Sequence, residues 1–300
     1  MIGGKNEKLK GGARINMYEQ KHCSPDSDTS NGSCLDSKLI KKIGKILNKK
    51  KNIKIDLSQS DEYIHNDILE TMNNLYNCNS ESCILSLNDI LKLLGNDKTK
   101  LKKSFKPVMP DDWDGDDNAW LSTDDIEDSL KQYQNKDKHF YFYGAVPIDF
   151  SNCSVSNLCS FNLNEHIKKK KDKIGIVFNT DPHTKDGQHW MSMYIDVNGR
   201  NMNGNGGIYY FDSYGRKPPK QIKNLIDKIL KQSEKCNCNL NYFYNDQCYQ
   251  SINAQCGMYS IHFIKKMIEN ISFNEFLKSG LSDKLMIDHR DDYFIDPNEF

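Results

Sequence analysis

The sequence has no excess charge, no long apolar run and no apolar leader. Across 300 residues Lys and Arg number 41 and Asp and Glu 41, a balance that excludes a generic polycation coating nucleic acid. No stretch approaches the roughly 20 apolar residues that cross a bilayer, and MIGGKNEKLKGG lacks the apolar segment of a secretory signal. The expectation is a protein neither integral to a membrane nor conventionally secreted. Internal repeats and coiled-coil heptads are missing as well. Hydrophobic residues make up only 37% and mean hydropathy is -0.74, yet 13 Phe, 15 Tyr and 3 Trp supply enough bulk for a core. Ten cysteines are the exception to this scarcity. With no secretory signal the expected compartment is reducing, so most are read as buried thiols.

Charge is balanced overall but not locally. Residues 1–56 are rich in Lys, whereas 111–130 carry acidic residues and no basic one. Residues 1–35 mix Gly, Ser, Asn and Asp without periodicity and read as a mobile tail containing Gly3-Gly4 and Gly11-Gly12. Helical spacing follows in Leu39, Ile40, Ile43, Ile46 and Leu47, then in Ile64, Ile68, Leu69, Met72 and Leu75, then from Cys83 to Leu94. This predicts a helical region over 36–105, closed by a connection containing Pro107 and Pro110. From there to residue 300 the pattern changes to short β-like runs, 140–146, 174–179, 190–197 and 208–212, followed by helical patterns at 222–230 and 259–271. The last two runs flank VNGRNMNGNGG and predict an antiparallel hairpin with a long tip. The main domain, 106–300, reads as α+β.

Cys256 sits where a turn-like segment passes into an apolar helix, in Gln255-Cys256-Gly257-Met258. A thiol there has its thiolate favoured by free backbone N–H groups and the helix dipole, as a nucleophile requires. Gly257 would let a bound peptide approach closely. A cysteine nucleophile needs a base, and His189 in Gly187-Gln188-His189-Trp190 opens a predicted strand, where a rigid scaffold presents side chains to a cleft. Asp212 closes the next strand. An antiparallel pair places the start of one strand beside the end of the next, so Asp212 can orient His189. Gln250, six residues before Cys256, offers an amide that with the Cys256 N–H would form an oxyanion hole, and Asn253 and Gln255 compete for that role. His183, beside Pro182 in a loop, is a rival base.

His-Trp, an Asp closing a strand, then Gln-x5-Cys-Gly in that order resembles the cysteine peptidases that include the SUMO proteases and the adenovirus protease. Trp120-Leu121-Ser122 resembles a tryptophan-leucine motif of the same family. Within it the sequence is most similar to the polyprotein-processing proteases of African swine fever virus and related large DNA viruses, supported by Glu81-Ser82-Cys83-Ile84, Phe178-Asn179-Thr180-Asp181 and Pro218-Pro219. One departure is Asp212, where the swine fever enzyme has an asparagine. The resemblance implies a papain-like, adenain-type core with a central mixed sheet flanked by helices. It implies His189 as base, Asp212 as its orienter, Cys256 as nucleophile and Gln250 as oxyanion donor. Trp190 would shape the cleft and Trp120 would roof a channel for substrate glycines. No metal or organic cofactor is required.

The resemblance further implies cleavage after Gly-Gly-type sites in structural precursors during virus assembly, with the protein located in the virion and the host cytoplasm. The alternative is removal of a ubiquitin-like modifier, and a fold-retaining module without catalysis is a third reading. The tail's own glycines raise self-processing after Gly12, with Gly4 a weaker site, against the plain fact that tails favour glycine. Cys236, Cys238 and Cys248 fit no common zinc spacing. Lys168 to Lys173 is read as a solvated loop rather than a nucleic-acid contact.

Overall fold

The computed structural model describes residues 21–113, 115–201 and 204–299. The chain divides into two compact units, the first comprising 27–105 with the segment ending at Cys23, the second comprising 106–299 with residues 24–26.

The first unit is helical: α1 (Ser37–Leu47), α2 (Asp61–Tyr76), a 3-10 turn (Ser82–Ser86), α3 (Asn88–Leu94) and α4 (Asp97–Lys103). Each of the first two starts on a side-chain cap, Asp36 accepting from the Leu39 N–H and Ser60 from the Tyr63 N–H. Leu39, Ile40, Ile43 and Leu47 of α1 and Ile64, Ile68 and Met72 of α2 are buried, as their spacing requires. Leu75, which continues the same pattern, is exposed. Beneath the helices lies a polar node rather than more hydrocarbon. Glu81, buried, accepts from the Cys34 N–H at 2.9 Å and from Ser33, and faces His65 Nε2 at 2.9 Å. Glu81 opens the Glu-Ser-Cys-Ile stretch singled out in the sequence, and this contact is the structural work it performs.

Two expectations are corrected here. The tail expected over 1–35 is not mobile to its end, because Cys23, Cys34 and Leu35 are buried. The glycines at 3, 4, 11 and 12 lie outside the described residues. The cysteines are mostly not thiols. Cys23–Cys34, Cys78–Cys83, Cys153–Cys159 and Cys236–Cys238 are disulfides, leaving Cys248 and Cys256 free. Compartment reasoning took no account of proximity. The paired residues lie 11, 5, 6 and 2 positions apart with Cα atoms between 5.0 and 5.7 Å, within bridging range.

The second unit contains α5 (Thr123–Lys131), α6 (Tyr133–Lys136), β1 (Phe140–Val146), α7 (Leu163–Lys168), β2 (Lys173–Asn179), β3 (Trp190–Asp196), β4 (Gly207–Phe211), α8 (Lys220–Lys235), β5 (Asn241–Tyr244), α9 (Cys256–Ile268), α10 (Phe273–Leu277), α11 (Asp283–Asp288) and α12 (Arg290–Tyr293). The five strands form one mixed sheet in sequence order, parallel at β1–β2 and β4–β5 and antiparallel in between. The predicted hairpin is β3–β4, in register Ser192 to Phe211 and Asp196 to Gly207.

Every residue of β2, β3 and β4 is buried. The alternation in β3 therefore separates two cores rather than a core from solvent. Trp190 and Tyr194 join Phe140, Tyr209 and Phe211 beneath α5 and α9, whereas Met191, Met193 and Ile195 join Ile176, Ile208 and Tyr210 beneath α8, which contributes Ile222, Ile226 and Ile229. The sheet is the middle layer of three. Helix α9 is buried from Cys256 through Ile264, so the nucleophile candidate heads the most enclosed helix of the unit. Sequence reading missed β5, whose four residues are mostly half-buried. It also missed α5 as an element, although Ser122 and Asp125 form a capping box at its start.

Thiol titration of the unfolded, unreduced protein is expected to find two reactive cysteines, Cys248 and Cys256. The count should rise to ten after reduction. Ten without reduction would refute the four pairings.

Candidate active site

The β3–β4 register sets the first contact. His189 directly precedes β3 and Asp212 directly follows β4, and His189 Nε2 meets Asp212 Oδ1 at 2.8 Å. A carboxylate can only accept, so Nε2 carries the hydrogen and donates it. The histidine backbone is pinned by the neighbouring strand, its carbonyl accepting from the Thr180 N–H at 3.0 Å. The ring of Tyr214 lies against it, 4.8 Å between centroids.

Asp212 is held on all sides. Its Oδ1 also accepts from the Tyr214 N–H at 2.9 Å. Its backbone is clasped by the buried Asn245 amide, which accepts from the Asp212 N–H at 3.0 Å and donates to the Asp212 carbonyl at 2.7 Å. The turn closes with the Gly215 N–H donating to that same carbonyl at 2.8 Å. Gly215 has φ +69°, and a Cβ there would sit 2.6 Å from the Gln247 backbone, so this corner accepts only glycine. Asn245 carries no signal in a single sequence. Its role appears only when β5 brings it alongside the end of β4.

Cys256 is the first residue of α9, 3% exposed. Burial alone would strip His189 of its proton. Hydrogen bonding to Asp212 and to Cys256, with the negative charge of both, overcomes that and raises its pKa from 6.5 to about 9. Nδ1, the nitrogen not used by Asp212, is buried and has no hydrogen-bond partner. The site therefore brings an imidazole held by a carboxylate close to a thiol at a helix N-terminus, the residue types of a Cys–His pair.

The three competing amides separate clearly. Gln250 is buried, its Oε1 accepting from Ser213 Oγ at 2.6 Å and its Nε2 donating to the Ile252 carbonyl at 2.7 Å. A carbonyl cannot donate, so the amide cannot be flipped. One Nε2 hydrogen is thereby used, which leaves the other. The loop carrying Gln250 is fixed by Asp283 Oδ2, which accepts from the Ser251 N–H at 2.8 Å, the Ser251 hydroxyl at 2.6 Å and the Ile252 N–H at 2.9 Å. Asn253 accepts from the Tyr214 hydroxyl at 2.9 Å. Gln255 donates to the Asp117 carbonyl at 2.7 Å and is committed to holding the chain ahead of α5. His183 is not brought to the site, since it pairs with Asp149 at 2.6 Å in an exposed position.

The tryptophans divide as well. Trp190 is buried and donates from Nε1 to the Leu121 carbonyl at 3.0 Å. Trp120, one residue earlier than that acceptor, is 45% exposed. Gly257, expected to let a bound peptide approach closely, is buried at the start of α9. A Cβ there would lie 2.8 Å from the Leu121 Cβ, so its small size admits Leu121 against the start of α9. A cavity of about 270 Å³ lined by Trp113, Asp116, Asp117, Asp288, Arg290 and Asp296, among others, includes none of the four candidate catalytic residues.

Two outcomes follow from these contacts. The folded pKa of His189, about 9, lies above its ordinary 6.5, so its contribution to stability is complete below about pH 6.5 and is lost as pH rises through about 9. The denaturation midpoint is expected to fall across that window, and to fall less in Asp212→Asn. A flat profile in the unmodified protein would contradict the assigned environment. Gly257→Ala is expected to cost about 1–3 kcal/mol through overpacking, measured by urea unfolding and partly restored by Leu121→Ala.

Known proteins are similar to this chain. Residues 123–299 match the Ulp1 protease family, C-terminal catalytic domain. A thiol protease of Acanthamoeba polyphaga mimivirus is 35% identical over 176 residues, covering 58% of this chain and 56% of the mimivirus protein. This chain thus spans little more than half the length of that relative. A cysteine protease of African swine fever virus is 22% identical over 283 residues, covering 89% of this chain and 92% of the viral protein. The crystal structure of the African swine fever virus protease superposes with a TM-score of 0.67 at 21% identity, covering 92% of this chain and 96% of that one. It shares the fold, including a mixed sheet flanked by helices. With more than half of its residues inside the matched domain, the chain belongs to the Ulp1 protease family.

Proposed function

We propose that the chain is a cysteine endopeptidase that cleaves after Gly-Gly-type sites and processes viral structural precursors during virion assembly, acting in the virion and the host cytoplasm. The observation that carries this reading is His189 bonded to Asp212 at 2.8 Å, with Cys256 near enough to raise the imidazole's pKa and placed at the head of a buried helix. In this reading His189 maintains the Cys256 thiolate, which attacks the peptide carbonyl. The oxyanion is met by the Cys256 N–H and the second Nε2 hydrogen of Gln250. His189 then protonates the leaving amine, and water hydrolyses the thioester, with Asp212 stabilising the imidazolium throughout. None of these steps calls on a metal or an organic cofactor.

Trp120 supports the glycine preference. It is a large apolar side chain left in solvent while its neighbour Leu121 is packed against Gly257, beside the nucleophile. A roof over a narrow channel admits glycine and excludes side chains. Self-processing after Gly12 belongs to the same reading. Removal of a ubiquitin-like modifier is the competing one, and other African swine fever virus relatives bear the name SUMO-1 cysteine protease.

The test uses quenched Gly-Gly-Xaa peptides beside a folded ubiquitin-like precursor, with mass spectrometry of the protein's own N-terminus. Short peptides should be cleaved, and activity should vanish in Cys256→Ala and His189→Ala. Gln250→Ala is expected to lower kcat about 10²–10³-fold. Cleavage of the folded precursor alone would favour the deconjugating reading.

A further inference from the structure

Arg290 opens α12 and is 5% exposed. A buried guanidinium is costly to desolvate and is ordinarily matched to a carboxylate. Among the described residues Arg290 has no ion pair at bonding distance, and burial lowers its pKa against the opposing pull of the more distant Asp117, Asp116 and Asp125. Its contacts are of another kind. Nη2 donates to the Ala119 carbonyl at 2.6 Å and to Gln255 Oε1 at 3.4 Å, while the guanidinium lies 4.6 Å over the ring of Trp113. Trp113 in turn packs edge-on against Phe294 at 5.0 Å. Leucine or methionine would fill such a site more cheaply. What they lack is a planar donor that reaches two acceptors on two segments while stacking on a ring.

Those two acceptors are informative. Gln255 immediately precedes Cys256. Ala119 belongs to a strap whose alternate carbonyls are all taken by side chains: Asp117 by Gln255 at 2.7 Å, Ala119 by Arg290 at 2.6 Å and Leu121 by Trp190 at 3.0 Å. The residues between them, Asn118 and Trp120, are exposed. The exposed ring of Trp120 is therefore held from behind by three donors, one next to the candidate base, one next to the candidate nucleophile, and Arg290, which contacts the strap and Gln255 together.

We propose that Arg290 is a positioning residue that latches the 117–121 strap to the segment entering the Cys256 helix and so fixes Trp120 at the substrate groove. This rests on the reading of Trp120 as the roof for substrate glycines. Arg290 does not touch the reacting atoms. Loss of the latch lets the strap move and widens the groove, which weakens binding and relaxes the exclusion of side chains, while the Cys256–His189 pair is untouched.

Arg290→Lys keeps the charge and loses the two-acceptor geometry, and Arg290→Met removes both. In Arg290→Lys, KM for a Gly-Gly-Xaa peptide should rise several-fold with kcat little changed, and the preference for Gly-Gly over Ala-Gly should shrink. The pH profile of Cys256 alkylation should stay as in the parent protein. In a Trp120→Ala background the same change should add nothing, because the latch acts through that ring. Hydrogen exchange over 117–121 should quicken while α9 keeps its protection. This arm needs no substrate, so it decides the latch even if the parent protein leaves Gly-Gly peptides intact, a failure that would fall on the functional reading alone. Unchanged exchange of the strap, an undiminished Gly-Gly preference, or an equal further loss in the Trp120→Ala background would overturn the proposal. So would an alkylation profile that collapses together with kcat, since Arg290 would then be a general prop. If Arg290→Lys does not fold, Gln255→Met, which removes the other end of the same latch, carries the exchange measurement with the same expected outcome.

Discussion

The contact on which the site depends is the 2.8 Å hydrogen bond from His189 to Asp212. It ties the residue before one strand to the residue after its antiparallel neighbour, so it exists only if the hairpin is in register. A slip of one residue in either strand would turn that strand's side chains to the opposite face of a sheet buried on both sides. The register is enforced by the core itself, where Met193 and Ile195 must meet one layer and Tyr194 the other. The site's geometry is thus stabilised by hydrophobic burial far larger than the worth of one hydrogen bond.

Around that contact the protein arranges polar groups so that each has one workable orientation. Asn245 clasps both backbone groups of Asp212, Ser213 and the Ile252 carbonyl fix which way Gln250 faces, and Asp283 gathers the loop between Gln250 and Cys256. In the proposed reaction, donors fixed in this way would not need to reorganise as charge develops. The raised pKa of His189 follows from the same economy of space. Two groups that favour its charged form flank a ring whose burial opposes that charge.

The meeting of His189 and Asp212 was legible in strand order, and the place of Cys256 at a helix start in the apolar run that follows it. The strands themselves were legible too, although all-round burial of β3 was not, since a two-core sheet and a half-solvated one both alternate. Asn245, Asp283 and Arg290 were invisible for a common reason. Each acts on backbone atoms of a segment distant in sequence, and backbone atoms carry no side-chain signature. Gly257 shows a further limit. Its small size could be read, but the partner that exploits it, Leu121, is 136 positions away and could equally have been a substrate. The cysteines were misjudged because cellular context was allowed to stand in for distance.

The strap from 117 to 121 has a meaning for how such a chain can vary. Its inward groups are carbonyls, common to every amino acid, so the side chain at Asn118 is released from any duty to the fold, and at Trp120 only an outward demand remains. The number of residues is another matter. Inserting or removing one between Asp117 and Leu121 would exchange inward and outward positions, presenting Ala119 where Trp120 now stands and breaking the match to its three anchors. Over this stretch the three carbonyl contacts fix the spacing, while side-chain identity is free at Asn118 and constrained at Ala119 and Leu121, which are buried.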